Sequence, residues 1–148
     1  MTSSLNEWVI KGVKLIVIML TKIWSAANYG LKAVEIEVEV NVAEKGFPGY
    51  TIVGLQSKSA EEAKERVKTA IVNSDFEFPN AKITINLAPA DLPKDGSFFD
   101  LPLALGILAS SGAVNKIEEK SYFFGEVSLD GSLRHTRGVF LLAILAKE

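Results

Sequence analysis

The sequence predicts an α+β fold in which a mixed β-sheet carries its helices mainly on one face. Apolar and polar residues alternate with a period of two in several stretches, which is typical of half-buried strands. One further stretch has apolar residues at helical spacing, two others are apolar nearly all round, and an Asp-Gly pair between β-rich runs indicates a hairpin. The predicted order is strand, strand, strand, helix, strand, helix, hairpin, helix.

The composition is that of one globular domain with a real core. The chain has 148 residues, of which 48% are hydrophobic, and a formal net charge of −2. This slightly acidic balance argues against a dedicated nucleic-acid-binding domain, although it leaves room for a local basic patch. The sequence has no cysteine and one histidine. It therefore excludes disulfides, thiolate metal sites, cysteine nucleophiles and a histidine-rich metal site.

Residues 1–18 are predicted to be an extension outside a domain that covers residues 19–148. The stretch from Val9 to Trp24 is strongly apolar, but three lysines interrupt it, so no uncharged segment is long enough to span a bilayer. Ser25-Ala26-Ala27 resembles a signal-peptide cleavage site, but charged and bulky residues precede it. We expect a first strand that begins near Leu20, and no membrane partner.

Three more strands follow along the chain. Residues 34–40 alternate apolar and acidic side chains, which predicts a strand with one face in water. After turn chemistry at residues 46–49, Tyr50 to Val53 is β-rich. Residues 82–87 alternate again and predict the strand that separates the first two helices.

The first predicted helix is amphipathic. Ser59 and Glu62 have the spacing of a capping box, and Glu62 pairs with Arg66 at i,i+4 on the solvent face. The opposite stripe, which we expect to be buried, consists of Ala60, Ala63, Val67, Ala70 and Ile71.

The other two helices are apolar nearly all round. Residues 100–111 contain small residues that permit close approach to a sheet, and Gly112 is a natural stop. Residues 137–148 begin a helix that reaches the end of the chain without a cap. We therefore expect a truncated domain, in which an apolar patch near Val139 to Leu145 is exposed.

The hairpin joins residues 122–129 to residues 132–135 through Asp130-Gly131. A two-residue type I′ turn is predicted because Asp-Gly favours it. Arg134 and Arg137, with Lys120 nearby in sequence, give local positive charge, whereas His135 is expected to be a plain surface residue.

The loop of residues 87–97 offers two interpretations. Lys94 and the free N–H groups at the following helix start form a candidate anion site. Alternatively, prolines and glycine fix a turn while Asp95, Ser97 or Asp100 caps the helix. Ser97 near Lys94 also suggests a Ser–Lys dyad. A phosphate cradle is excluded because no GxxxxGK[ST] motif occurs.

Three stretches resemble the ComM/YifB group of Mg-chelatase-like AAA+ proteins. Residues 46–55, GFPGYTIVGL, are similar to the family's LPGFTIVGL signature. Residues 65–74, ERVKTAIVNS, are similar to its ERVRAAIKNSG helix. Residues 85–112, INLAPADLPKDGSFFDLPLALGILASSG, match almost throughout. The resemblance runs from about residue 19 to the end of the chain.

The resemblance implies a Lon-protease-like fold of the ribosomal S5 domain-2 type. It also implies where a peptidase would hold its Ser–Lys dyad: the nucleophile's position is Phe98, and the lysine's position is Phe140. The resemblance therefore implies no catalytic residues in this domain. The candidate contacts to an anion or DNA are Lys94, Arg134 and Arg137.

The family role that the resemblance implies is DNA branch migration and recombination during natural transformation, carried out by a cytoplasmic hexameric ATPase. This chain would be its non-catalytic N-terminal accessory domain and would contribute assembly or DNA contact. ATP and Mg²⁺ would bind only the downstream ATPase domain, so we expect no cofactor, metal or small-molecule substrate here. The expected partners are the rest of the AAA+ chain, hexamer neighbours and DNA. The alternatives are a stand-alone protein-interaction module and a Ser–Lys peptidase.

Overall fold

A computed structural model of the chain describes residues 20–94 and 96–148. The proposed extension of residues 1–18 and the candidate cap Asp95 lie outside these ranges. The secondary structure elements are β1 (Leu20–Tyr29), β2 (Lys32–Ala43), β3 (Gly49–Val53), α1 (Ser57–Asn73), β4 (Lys82–Ala88), α2 (Asp100–Ser110) and α3 (Val139–Lys147). The predicted α+β class and the order of these elements are confirmed.

The four strands form one mixed sheet in the order β1-β2-β4-β3. β1 pairs with β2, and β2 pairs with β4, in antiparallel fashion, whereas β3 and β4 are parallel. The register places Ile23 opposite Val38, and Val38 opposite Leu87, so that apolar residues of all these strands share one face. The alternating acidic residues of β2 lie on the other face and are half-buried, as the period of two predicts.

The core lies between that apolar face and the helices α1 and α2, which contribute to a single cluster of buried residues. All five residues of the predicted α1 stripe are buried. Gly106 lets α2 approach the sheet, because a Cβ atom there would overlap the side chain of Val40. The prediction that small residues permit close helix–sheet contact is therefore confirmed.

The predicted N-terminal caps are wrong for Ser59, Ser97 and Asp100. α1 begins at Ser57, so Ser59 is its third residue and cannot serve as the capping residue of a Ser59–Glu62 box. α2 is preceded by Phe99, and none of the described side chains caps it. Asp100 and Ser97, two of the predicted caps, bind other partners instead. Gly112 follows α2 with a positive φ of 77°, as a helix stop requires.

α3 contacts β1 and β2 through a small part of its surface. Leu142 is buried, whereas Phe140 is 76% exposed and Ile144 is 44% exposed. The amide of Asn28 on β1 donates to the carbonyl oxygen of Gly138 at 3.2 Å, just before the helix begins. The predicted exposure of apolar residues between 139 and 145 is confirmed. Within the described ranges, no helix is both long enough and apolar enough to cross a membrane.

Candidate functional site

Lys94 is a buried structural residue, with 2% of its surface exposed. Its ammonium group donates to the carbonyl oxygen of Leu92 at 2.9 Å and to that of Pro89. Burial lowers the pKa of Lys94, and the nearby Asp91 partly opposes this shift. The geometry argues against the predicted anion contact, because the ammonium faces the backbone of its own loop rather than solvent.

The serine of the same loop binds a carboxylate. The hydroxyl of Ser97 donates to a carboxylate oxygen of Glu126 in the segment after α2. Ser97 and Lys94 therefore have different partners, and the nucleophile–base contact that a Ser–Lys dyad requires is not formed by these bonds.

Phe98 and Phe140, which the resemblance predicts at the positions of a peptidase dyad, lie in different environments. Phe98 is half-buried and packs against Phe99 with their ring centroids 4.5 Å apart. Gly96 before it has φ of 93°, and a Cβ there would be 3.3 Å from the Phe98 ring. Phe140 instead projects from the first turn of α3 into solvent. Neither ring can act as a nucleophile or a base.

The hairpin after α2 has a different turn from the predicted one. Gly131 has φ of 86°, but Asp130 does not share a positive φ, so the type I′ prediction is wrong. The N–H of Gly131 donates to the carbonyl of Ser128 at 2.9 Å, and the N–H of Ser128 donates to Ser132 at 2.8 Å. These bonds define a three-residue loop that ends in a left-handed glycine. Pairing is limited to one bridge between Val127 and Leu133.

The hairpin tip is seated on the end of α1. The amide of Asn73 donates to the carbonyl of Leu129 at 2.7 Å. Gly131 lies so close to Ser74 that a Cβ atom would overlap its hydroxyl oxygen. This close contact leaves no room for a side chain at position 131, which the sequence pattern alone did not reveal.

The predicted cations are distributed over separate places. Arg134 and Arg137 are exposed, as is His135, which agrees with its assignment to the surface. Arg134 forms an ion pair with Glu126, its Nε lying 3.5 Å from Oε1. Lys120 pairs with Glu35 and lies 4.4 Å from the ring centroid of Trp24, at the β1 side of the sheet. Arg134 and Arg137 are thus the two predicted candidates with accessible charge.

Arg66 and Asp100 form an ion pair that the sequence analysis missed. Asp100 is fully buried, and its carboxylate receives Nε of Arg66 at 2.7 Å and an Nη at 3.1 Å. The backbone N–H of Val127 also donates to it, at 3.3 Å. The sequence signal was an aspartate at the start of an otherwise apolar helix. This carboxylate joins α1, α2 and the hairpin at one point.

Electrostatics at this point are dominated by burial. Burial raises the pKa of Asp100, while the bonds from Arg66 and Val127 oppose the rise. The pKa of Arg66 is raised chiefly by its hydrogen bond to Asp100. Tyr50, beside the pair, has its pKa raised by burial and by the charge of Asp100. In the described part of the chain, its hydroxyl has no hydrogen-bond partner.

Metal binding has no support in the described ranges, where no three His, Cys, Asp or Glu side chains come together as a metal-binding group. The chain instead has a buried ion pair, a loose surface ion pair and an exposed apolar face on α3. The two exposed features are suited to contacts with macromolecules.

Comparison with known proteins gives a consistent result. Residues 38–148 match the sequence model of the family described as subunit ChlI of Mg-chelatase. The chain is 45% identical over 130 residues to the competence protein ComM of Haemophilus influenzae, covering 87% of this chain and 25% of that protein. It is 47% identical over 121 residues to the YifB protein of Escherichia coli, covering 80% of this chain and 24% of that protein.

A more distant relative occurs in Mycobacterium tuberculosis. It is 36% identical over 130 residues, which cover 87% of this chain and 26% of that protein. The chain thus spans about a quarter of the length of the curated relatives it matches.

Proposed function

Because the chain belongs to the ComM/YifB group of Mg-chelatase-like proteins, we propose that it is a non-catalytic accessory domain of a larger ATPase. We propose that this ATPase acts on DNA during competence, by branch migration and recombination. The name of the Haemophilus relative supports the role in competence. The domain contributes assembly contacts to the longer protein and lies in the N-terminal part, with a Lon-like fold. ATP and Mg²⁺ bind the downstream ATPase domain and not this one. The whole protein acts in the cytoplasm.

The absence of catalysis is supported by chemistry at four positions. Phe98 and Phe140 stand where the peptidases of this fold carry their serine and lysine. Ser97 and Lys94, the nearest substitutes, bind a carboxylate and backbone carbonyls, respectively. A serine-reactive acylating probe tests this: we expect no labelling, and labelling that Ser97→Ala removes would restore the peptidase hypothesis.

The observation that carries the assembly role is the apolar face of α3. Phe140 and Ile144 are large apolar side chains exposed to solvent, and Leu142 alone among the helix residues is buried. Burying such side chains at an interface gains about 25 cal/mol for each Å² removed from water. Exposed aromatic side chains of this kind are common interface anchors.

The test uses the full-length ATPase, with its oligomeric state measured by light scattering after size-exclusion chromatography in the presence of a nucleotide analogue. We expect Phe140→Ser to reduce the hexameric fraction. Phe47→Ser is the matched control, because Phe47 is 93% exposed in the turn before β3. If both variants assemble like the wild type, α3 is not an assembly surface.

DNA contact is the second candidate, favoured by the exposed Arg134 and Arg137 on the segment that leads into α3. Binding of labelled forked DNA is measured at low and moderate salt. Contact with phosphates predicts weaker binding at higher salt, because each contact releases counterions. Arg134→Ala with Arg137→Ala should weaken it at both salt concentrations. Failure of the wild type to bind at low salt would leave assembly alone.

The placement within an ATPase is tested by the gene itself. We expect a GxxxxGK[ST] motif in the longer reading frame, within about a hundred codons after Glu148, since that loop cradles nucleotide phosphates. A stand-alone interaction module is the alternative. It would be favoured if the 148-residue protein alone is produced in the cell.

A further inference from the structure

We propose that the carboxylate of Glu126 pairs with the guanidinium of Arg134 until a phosphate group of DNA displaces it. This inference rests on the DNA-contact form of the proposed function. It adds a residue that regulates access to the arginine.

The hairpin register fixes the two residues side by side. The backbone N–H of Arg134 donates to the carbonyl oxygen of Glu126 at 2.9 Å, so they face each other across the two segments. Their side chains then meet, with Nε of Arg134 3.5 Å from Oε1 of Glu126. The two side chains separate only when one of them changes its rotamer or when the hairpin opens.

The carboxylate is the anchored member of the pair, and the guanidinium is the accessible one. The other oxygen of Glu126, Oε2, accepts the hydroxyl hydrogen of Ser97, which holds the carboxylate in its rotamer. The side chain of Arg134 is 62% exposed. An incoming anion therefore meets an arginine that already has a weak partner on one side and solvent on the other.

The strengths of the Arg134–Glu126 and Arg134–phosphate interactions determine which anion binds the guanidinium. The Nε–Oε1 distance is longer than a hydrogen bond, and an exposed pair of this kind shifts an equilibrium by no more than about fivefold. A charged hydrogen bond between arginine and phosphate is stronger, by tenfold or more, and is frequently bidentate. Glu126 therefore lowers the affinity for phosphate without abolishing it.

The test measures binding of labelled forked DNA by fluorescence anisotropy at about 50 mM salt. We expect Glu126→Gln to tighten binding about threefold to fivefold, because the amide still accepts from Ser97 but no longer carries charge. Asp130→Asn is the matched control with a smaller expected gain, since it removes the same charge from the same hairpin, where Asp130 hydrogen-bonds Ser132 and acts on Arg134 only by its charge. The gain of Glu126→Gln should vanish when Arg134→Ala is added.

A second measurement does not depend on DNA. The rate at which phenylglyoxal modifies Arg134, followed by peptide mass spectrometry, should rise about twofold to fivefold in Glu126→Gln and by less in Asp130→Asn. Equal rates in the two variants would overturn the inference, as would a gain in DNA affinity that survives Arg134→Ala. If the modification rate rises but no variant binds DNA, Glu126 does pair with Arg134 in solution, yet the inference fails together with DNA contact itself. Assembly then remains as the function.

Discussion

Replacing Arg66 should destabilise the domain strongly, because it leaves the carboxylate of Asp100 buried without its counter-charge. Asp100 has 0% of its surface exposed and receives two hydrogen bonds from the Arg66 guanidinium. After Arg66→Met, the N–H of Val127 is its remaining donor among the described groups. Removing one member of a buried ion pair costs about 3–5 kcal/mol.

The magnitude can be measured by urea unfolding and by heat. A loss of about 3–5 kcal/mol lowers the melting temperature of a domain of this size by roughly 10 °C. Asp100→Asn should cost less, about 1–2 kcal/mol, because Arg66 is partly exposed and keeps Glu62 at 3.9 Å. The double variant Arg66→Met/Asp100→Asn should be more stable than Arg66→Met alone.

The pH dependence of the Arg66→Met defect has a definite sign. Burial raises the pKa of Asp100 above the usual 3.8, so the folded state binds this proton more tightly than the unfolded state. Protonation of Asp100 therefore increases the free energy of unfolding as the pH falls through its folded pKa. Removal of Arg66 raises that folded pKa further. We expect the difference between Arg66→Met and the wild type to shrink as the pH is lowered from neutrality toward the folded pKa of Asp100 in the variant.

The corresponding difference for Asp100→Asn should not shrink in this way, because asparagine does not titrate. A loss below about 1 kcal/mol for Arg66→Met would refute the claim that burial makes this pair indispensable. A loss that is independent of pH, or additive with Asp100→Asn, would show that the effect is one of packing and not of an unpaired charge.

Three further substitutions test other features by the free energy of unfolding in urea. Gly54→Ala should lower the free energy of unfolding by about 1–3 kcal/mol more than Gly112→Ala does. Both glycines have φ near 80°, but only Gly54 lies against the backbone of Leu87. Equal losses would contradict this close approach. Lys94→Ala should cost about 1–3 kcal/mol by leaving two loop carbonyls unpaired, whereas Lys116→Ala on the surface should cost less than about 0.5 kcal/mol. Tyr50→Phe should not destabilise, because its buried hydroxyl bonds to none of the described groups, and a loss above about 1 kcal/mol would reveal a missed partner.

Local periodicity explains why the strands and the α1 stripe were predictable. Alternation in residues 34–40 and 82–87 depends on which side of a pleat a residue occupies, and this is fixed by its immediate neighbours. The five apolar residues of α1 likewise share a face because of helix geometry alone. Each of these predictions needed no knowledge of what lies across the core.

The wrong cap predictions for α2 concern polar residues whose partners are distant in sequence. Ser97 and Asp100 were expected to cap α2, but they bind Glu126 and Arg66, which lie 29 and 34 residues away. Lys94 was a candidate anion contact, but its side chain is buried. Its burial depends on a loop fold that brings carbonyl oxygens to its ammonium. Sequence spacing does not tell whether a polar residue will cap its own helix or bind a partner that the fold brings to it.

The same long-range contacts determine where the candidate DNA-binding arginine stands. The hairpin has little pairing of its own, and contacts from other elements hold it: Asn73 at its tip, Asp100 at Val127, and the backbone of Phe98 and Leu101 at Gly125. Arg66 reaches Asp100 from α1 and balances its buried charge. Glu126, next to Val127, is thereby held beside both Ser97 and Arg134. A change at Arg66 should therefore alter the environment of Arg134 without touching it, so effects of Arg66 variants on DNA binding must be compared at equal folded fraction.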